Sequence, residues 1–188
     1  MRKHITAIAL SLLALPAVAF AADDYKVDTV HSAVVFHAVH FGVGHTYGRF
    51  NDFEGTFVVD NGAPTSIDVT VKAESVDTNV EKRDKHLASP DYLNAGEFPE
   101  IHFVSKKITP AGEGKWTAEG DLTFHGTTKP ITVTLNKVGE GKDAWGGYRY
   151  GFETSFQVKR SDFGLPEQDG VSDEINLIVA LEGTKKKL

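Results

Sequence analysis

The sequence predicts an all-β protein: eight antiparallel strands closed into a barrel, with one short helical insertion between the third and fourth strands. Three observations carry this. Apolar and polar residues alternate with a period of two through successive segments, the mark of strands with one wet face. Several segments run beyond ten residues, longer than sandwich strands usually are. Aromatic residues fall repeatedly on the inward faces, at Phe36, Phe53, Phe57, Phe103, Phe124, Phe152 and Phe156. An eight-stranded barrel has room for packed side chains or for one small ligand. A two-sheet sandwich is the competing architecture.

The chain opens on a targeting segment. Arg2 and Lys3 form a positive start, Ile5 to Val18 an apolar stretch, and Ala19-Phe20-Ala21 an A-x-A-like cleavage site. The apolar run is too short for a membrane span. Residues 1–21 are therefore expected to be removed as a signal peptide (cleavage after Ala22 is the near alternative), and the protein to reach a bacterial periplasm without stable membrane insertion. Residues 22–188 then form one barrel domain. There is no cysteine, so no disulfide supports the fold even in a compartment that would allow one. Removing Arg2 and Lys3 leaves 18 of the 20 basic residues against 26 acidic ones, a net charge of −8. That balance argues against nucleic acid, or an anionic membrane surface, as the main partner.

The strands are expected near residues 25–42, 46–60, 65–76, 100–109, 115–125, 130–139, 145–160 and 172–183. The alternation is cleanest at Ile67-Val69-Val71, at Trp116-Ala118-Gly120-Leu122-Phe124, at Ile131-Val133-Leu135 and at Tyr148 through Val158. Turn residues cluster between them, at Asn61 to Pro64, Gly112 to Gly114, Gly126 to Pro130, Gly139 to Gly141 and Gly164 to Pro166.

The stretch from Thr78 to Pro99 does not alternate. Thr78 with Glu81 three residues on predicts a capping box, and Ser89 before Pro90 a second, shorter helical turn that stops near Gly96. Val80 and Leu87 share a helix face with Arg83 and Asp84, while Glu81 and Lys85 make an exposed pair. A charge turned inward is expensive unless paired or hydrogen-bonded. Arg83, Asp84 and neighbouring His86 therefore either tie the helix down or face the polar end of a ligand.

The seven phenylalanines, with Ala118, Gly120 and Leu122, are the expected cavity lining, and the small Ala118 and Gly120 mark where the interior is sparse. No metal site is expected: His37 and His40 fall on opposite strand faces, and His31, His40 and His45 have no cysteine or second ligand at metal spacing. No catalytic residue is assigned and no enzyme is expected. Ser32 and His31 are adjacent in a strand and point apart, and no Gly-x-Ser-x-Gly elbow occurs. The last strand is apolar on both faces, with Ile175, Leu177, Val179 and Leu181 on one side and Ile178 and Ala180 on the other. That implies cover by the helix or by a second subunit. A secreted barrel that forms a homodimer and holds no lipid is the alternative function.

These residues resemble the YceI family. The resemblance runs through Tyr25-Lys26-Val27-Asp28, His31-Ser32, His40-Phe41-Gly42, Gly48-Arg49-Phe50, Phe53-Glu54-Gly55 and Ser75-Val76-Asp77-Thr78. It continues in Arg83 to Ser89, Phe98-Pro99, Gly120 to Thr123, Gly126 to Pro130 and Arg160 to Gly164. The family implies a lipocalin-like, periplasmic barrel that binds a polyisoprenoid lipid. By resemblance, the ligand is a long isoprenoid such as a quinone tail or a polyprenyl phosphate, with no other cofactor, and the role is carrier or sequestering protein.

Overall fold

A computed structural model describes residues 22–185, so the expected signal peptide lies outside the described residues. Eleven strand segments are present: β1 (Asp23–Val27), β2 (Ala33–His40), β3 (Gly44–Phe50), β4 (Phe53–Asp60), β5 (Ala63–Lys72), β6 (Val76–Asp77), β7 (Glu100–Gly112), β8 (Lys115–Phe124), β9 (Thr127–Lys142), β10 (Tyr148–Lys159) and β11 (Val171–Lys185). Helix α1 (Glu81–Ala88) lies between β6 and β7. No helix among the described residues is long and apolar enough to cross a membrane.

The eleven segments make eight staves. β1 and β2 both pair with β11, at opposite ends of it, so residues 23–40 are one strand broken at its middle. β3 pairs with β2 and β4 with β1, and β6 pairs with β3 as β5 does with β4. All pairings are antiparallel, and β1 against β11 closes the ring. The expected barrel is therefore present, with three of its eight strands interrupted. Alternation does not reveal the first break because it is made by polar bonding. Asp28 accepts the Val30 N–H at 3.1 Å and meets His31 Nδ1 at 2.8 Å, which turns the chain locally.

Two hairpins depart from the sequence expectation. Asn61-Gly62 forms a tight turn with both φ positive (49° and 79°), as such a pair should. His125-Gly126 does the same (49° and 71°), so β9 already begins at Thr127 and Pro130 lies inside a strand rather than a turn. Gly139 to Gly141 also remain in β9. The chain reverses later, where the Asp143 carboxylate accepts the N–H groups of Trp145 and Gly147 at 3.0 and 2.7 Å.

The two ends of the barrel differ. At the end holding β1, the Tyr25 and Phe57 rings stack with centroids 5.0 Å apart, and Phe57 meets Phe152 edge-on at 5.0 Å. Tyr150 donates to the Gly62 carbonyl at 3.0 Å. Burial pushes the phenols of Tyr25 and Tyr150 up to about 12. Together with Leu135 these rings leave the end solid.

At the other end the staves diverge. β9 and β10 pair only as far as Asn136 opposite Glu153, leaving the β9 residues before Asn136 and the β10 residues after Glu153 apart. Pro130 sits in that unpaired reach, where a missing N–H forfeits no bond to β10. A 3-10 turn at Ser161–Phe163 fills the gap, with Phe163 packed among Leu122, Val158 and Leu165. β6 and β7 are likewise unpaired, and α1 with the turns after it spans their gap.

Candidate ligand cavity

The divergence of the staves opens a cavity of about 600 Å³. Its wall comes from inward positions of the strands, among them Phe36, Phe50, Leu122, Phe156, Ile175 and Leu177. Its cover comes from two segments. α1 and the following turns supply Val80, Leu87, Tyr92 and Leu93, and the connection from β10 to β11 supplies Leu165 and Val171. The two covers are stitched together where Gln168 Nε2 donates to the Asp91 carbonyl at 2.8 Å. The polar residues at the mouth are His40, Thr46, Lys82, Arg83, His86 and Arg160, and no Asp or Glu among the described residues lines the space.

The expected lining residues divide into groups. Phe36, Leu122, Phe124 and Phe156 line the cavity. Phe57 and Phe152 belong to the solid end, and Phe53 and Ala118 are buried in the packed core, Ala118 completely. The sparse place expected at Ala118 and Gly120 is filled. A Cβ at Gly120 would lie 2.4 Å from the Val104 carbonyl oxygen and 2.7 Å from the Phe103 ring, so the glycine is there to admit that ring. Phe103 packs against the buried core that includes Phe57 and Ala118 and against the group of Leu122, Val158, Phe163 and Leu165, and so separates the solid end from the open one. The space lies two residues further along the same strand, around Leu122 and Phe124.

The expected capping box is absent. Val80, not Thr78, is the N-cap of α1, and no side chain caps it. Thr78 is instead buried and gives its backbone N–H (2.8 Å) and its hydroxyl to the Asp84 carboxylate. Arg83 Nε donates to the Thr78 hydroxyl oxygen at 2.7 Å and Nη2 to its carbonyl at 2.8 Å. Asp84 thus ties the helix to the strand before it. Arg83 does the same and also reaches the mouth. His86 lines the mouth beside Tyr92, its ring 4.9 Å away and edge-on, with Nε2 3.2 Å from Asp91 Oδ2. Glu81 and Lys85 form the expected exposed pair at 2.7 Å. No second helix follows. Ser89 accepts the Asp91 N–H at 3.3 Å in a turn, and Asn94 (φ 46°) rather than Gly96 takes the left-handed conformation.

Arg160 is the most unusual of the polar groups. It is buried to 6 % exposure, and Nε, Nη1 and Nη2 donate to the carbonyls of Ser172, Pro166 and Val171 at 3.0, 2.9 and 3.2 Å. It holds the β10–β11 cover in shape and borders the cavity. The other histidines have their own surroundings. His37 meets His45 edge-on and Tyr47 at a tilt outside the barrel, with centroids at 4.6 and 4.9 Å. Asp28, His31 and Glu182 lie close enough to share a cation, but Arg149 Nη1 already contacts Asp28 at 2.7 Å and Glu182 at 2.5 Å. The Arg149 hydrogen bond holds the Asp28 carboxyl down at about 2. Ser32 accepts the Glu182 N–H at 2.9 Å and makes no bond to His31, which is held by Asp28. On the outer face, Ile178 is 40 % exposed. Helix α1 lies over the mouth and does not cover it.

A model of the YceI-like domain matches residues 25–183 of the chain. The chain belongs to the YceI family. It is 39 % identical to the protein YceI of Escherichia coli O157:H7 over 192 residues, covering 100 % of both chains. Among solved structures it resembles BcnA of Burkholderia cenocepacia, with a TM-score of 0.75, 25 % identity, and 83 % of this chain and 98 % of that one covered. It shares its fold with a polyisoprenoid-binding domain from Saccharophagus degradans, with a TM-score of 0.65 at 13 % identity over 86 % of this chain and 98 % of that one. In this YceI domain, sequence reading missed Lys82, Tyr92, Leu93, Arg160 and Leu165 as lining. Lys82 lies on the helix and the others on or beside irregular segments, where period-two patterning gives no inward direction. A usable signal existed: all lie in the one stretch that does not alternate, or in or near the turn cluster facing it.

Proposed function

We propose that the protein holds a long isoprenoid lipid, with its apolar tail in the cavity and its head at the mouth under α1. The observation that carries this is the cavity itself: about 600 Å³, walled by aromatic and aliphatic side chains, stopped at one end and rimmed by polar groups at the other. A space of this kind left empty deprives its lining of dispersion contacts. Family membership and the shared fold with a polyisoprenoid-binding domain support the same reading. We further propose that the chain works in the periplasm after loss of residues 1–21, as a carrier or sequestering protein.

The test is the mass of what organic solvent extracts from the purified protein. A prenyl lipid at near one equivalent is the expected result, and a lipid-free protein that takes up no prenyl probe would overturn the proposal. For export, the N-terminus of protein recovered from the periplasmic fraction should be Ala22 or Asp23. An intact Met1 in the membrane pellet would contradict it.

A further inference from the structure

We propose that the protein settles reversibly on the surface of a zwitterionic bilayer through the tip of the β2–β3 hairpin, Phe41 to Val43, with the cavity mouth turned toward the lipid. The proposal goes beyond the lipid-holding reading and rests on it for one point only, that the cargo has a membrane as its source. The carrying observation is a tip that puts bulky apolar side chains where the fold does not use them. The His40 carbonyl accepts the Val43 N–H at 3.0 Å, with Phe41 and Gly42 both at positive φ (48° and 69°). Asn61-Gly62 makes the same tight turn at the solid end. The first position of such a turn suits asparagine, and a phenylalanine there adopts a conformation that bulky residues avoid. Phe41 is nonetheless 68 % exposed and Val43 86 %. A Cβ at Gly42 or Gly44 would meet nothing within 4 Å, so the tip stands clear of the rest of the molecule.

Charge is missing from the whole hairpin. Residues 29–48 contain no Asp, Glu, Lys or Arg, the longest such run after residue 22, in a chain where these types make up 24 %. On the outer face of β2 and β3 stand His37, His45 and Tyr47, ring-bearing side chains with a polar edge. Amphipathic rings of that kind suit the headgroup layer. The apolar surface also leads from the tip into the cavity. Val39 and His40, next along β2, border the space, and the Phe41 N–H donates at 2.7 Å to the Gly170 carbonyl, beside the lining residue Val171. Val80, 47 % exposed on the helix side of the mouth, borders it too. A projecting, uncharged tip offers no flat face to a second copy, whereas insertion among lipid headgroups covers it on every side. Glu167 and Asp169 lie exposed on the neighbouring β10–β11 connection, and the chain is acidic overall. An anionic surface would repel both, and a zwitterionic one would not.

The experiment is sedimentation of the purified protein with large unilamellar vesicles of phosphatidylcholine and phosphatidylethanolamine. The bound fraction should rise with lipid concentration and be insensitive to salt. Phe41→Asn should weaken this partition about fivefold or more. Its melting temperature should stay level or rise, because Asn-Gly is the pair this turn prefers. Trp145→Ser removes an equally bare ring (82 % exposed) from the β9–β10 turn at the solid end, and should change the partition less than twofold. The chain has no cysteine, so Val43→Cys can carry an environment-sensitive dye. That dye should shift to the blue on vesicles, and the same dye on Trp145→Cys should not. No binding to vesicles, or binding that Phe41→Asn leaves intact, would overturn the proposal. So would binding that appears only with added phosphatidylglycerol and vanishes in salt, or a Phe41-dependent dimer that ignores vesicles. A lipid-free protein that still settles through Phe41 would support it while the lipid-holding proposal fell. A lipid-loaded protein that ignores vesicles would overturn it and leave the lipid-holding proposal standing.

Discussion

Thr78 shows how much of the helix anchor rests on a single residue. It is 5 % exposed, and its N–H, hydroxyl and carbonyl are all engaged by Asp84 and Arg83. Asp84→Ala should cost about 2–3 kcal/mol, because it strands two buried donors. Arg83→Ala should cost about 1–2 kcal/mol, since the Thr78 hydroxyl keeps Asp84 and only the Thr78 carbonyl loses its donor. Urea unfolding measures both, and an Asp84→Ala protein as stable as the parent would remove the tie from the account. The sequence pointed to these residues but not to their partner, because a capping-box spacing and a strand-end tie both use Thr and an acidic residue a few positions apart. A second prediction concerns Asp28. Its carboxyl, ordinarily near 3.8, is lowered to about 2 by Arg149, so it stabilises the fold above its unfolded value. That contribution is lost as pH falls from about 4 through about 2. Asp28→Asn should therefore lower the urea midpoint at pH 7 and flatten its decline across that acid window. An unchanged midpoint at pH 7 would contradict this.

At the scale of the strand, β8 carries the lesson about space. Its inward row runs Trp116, Ala118, Gly120, Leu122, Phe124, and by residue size alone the room should lie in the middle. It does not, because a small residue in a barrel interior invites a ring from a nearby stave. Phe103 covers Gly120, as Phe57 covers Gly183 and Phe36 covers Gly48, where a Cβ would lie 2.4 and 2.3 Å from the ring. Gly120→Ala should thus destabilise by about 2–3 kcal/mol, since one of the atoms in the way is backbone. Leu122→Phe at the cavity wall should cost less and reduce lipid uptake instead. Melting temperature and extractable lipid, read for both variants, check this; a harmless Gly120→Ala would mean that the ring moves freely. Strand number, direction and order were legible from alternation and turn residues. The breaks at Asp28 and Asn51 were not, because the outward and inward rows resume on either side of them.

At the scale of the whole molecule, a barrel with one solid end sets a limit on its contents. At roughly 30 Å³ per heavy atom, the share of a water molecule in the liquid, about 600 Å³ takes about twenty atoms, or four isoprene units. Affinity for prenyl alcohols should then rise from two units to about four and level off, any further length staying outside. A rise continuing unchanged to eight units would mean that the aromatic end opens. The barrel was readable from residue order. The position of the cavity was not, because it depends on where β9 leaves β10 and β6 leaves β7, and pairing between distant segments is invisible in a local pattern.

The solid end also governs traffic. If the protein carries lipid as proposed, a single doorway means that the lipid would leave by the way it came, head first, and the segments that close over it would have to loosen for each passage. A membrane or protein giving up lipid and one receiving it would compete for the same face and could not dock together. Transfer would consist of two separate encounters with a loaded intermediate between them. Initial rates measured at several donor and acceptor concentrations would give parallel double-reciprocal lines for such a shuttle, and converging lines for a conduit that touches both at once.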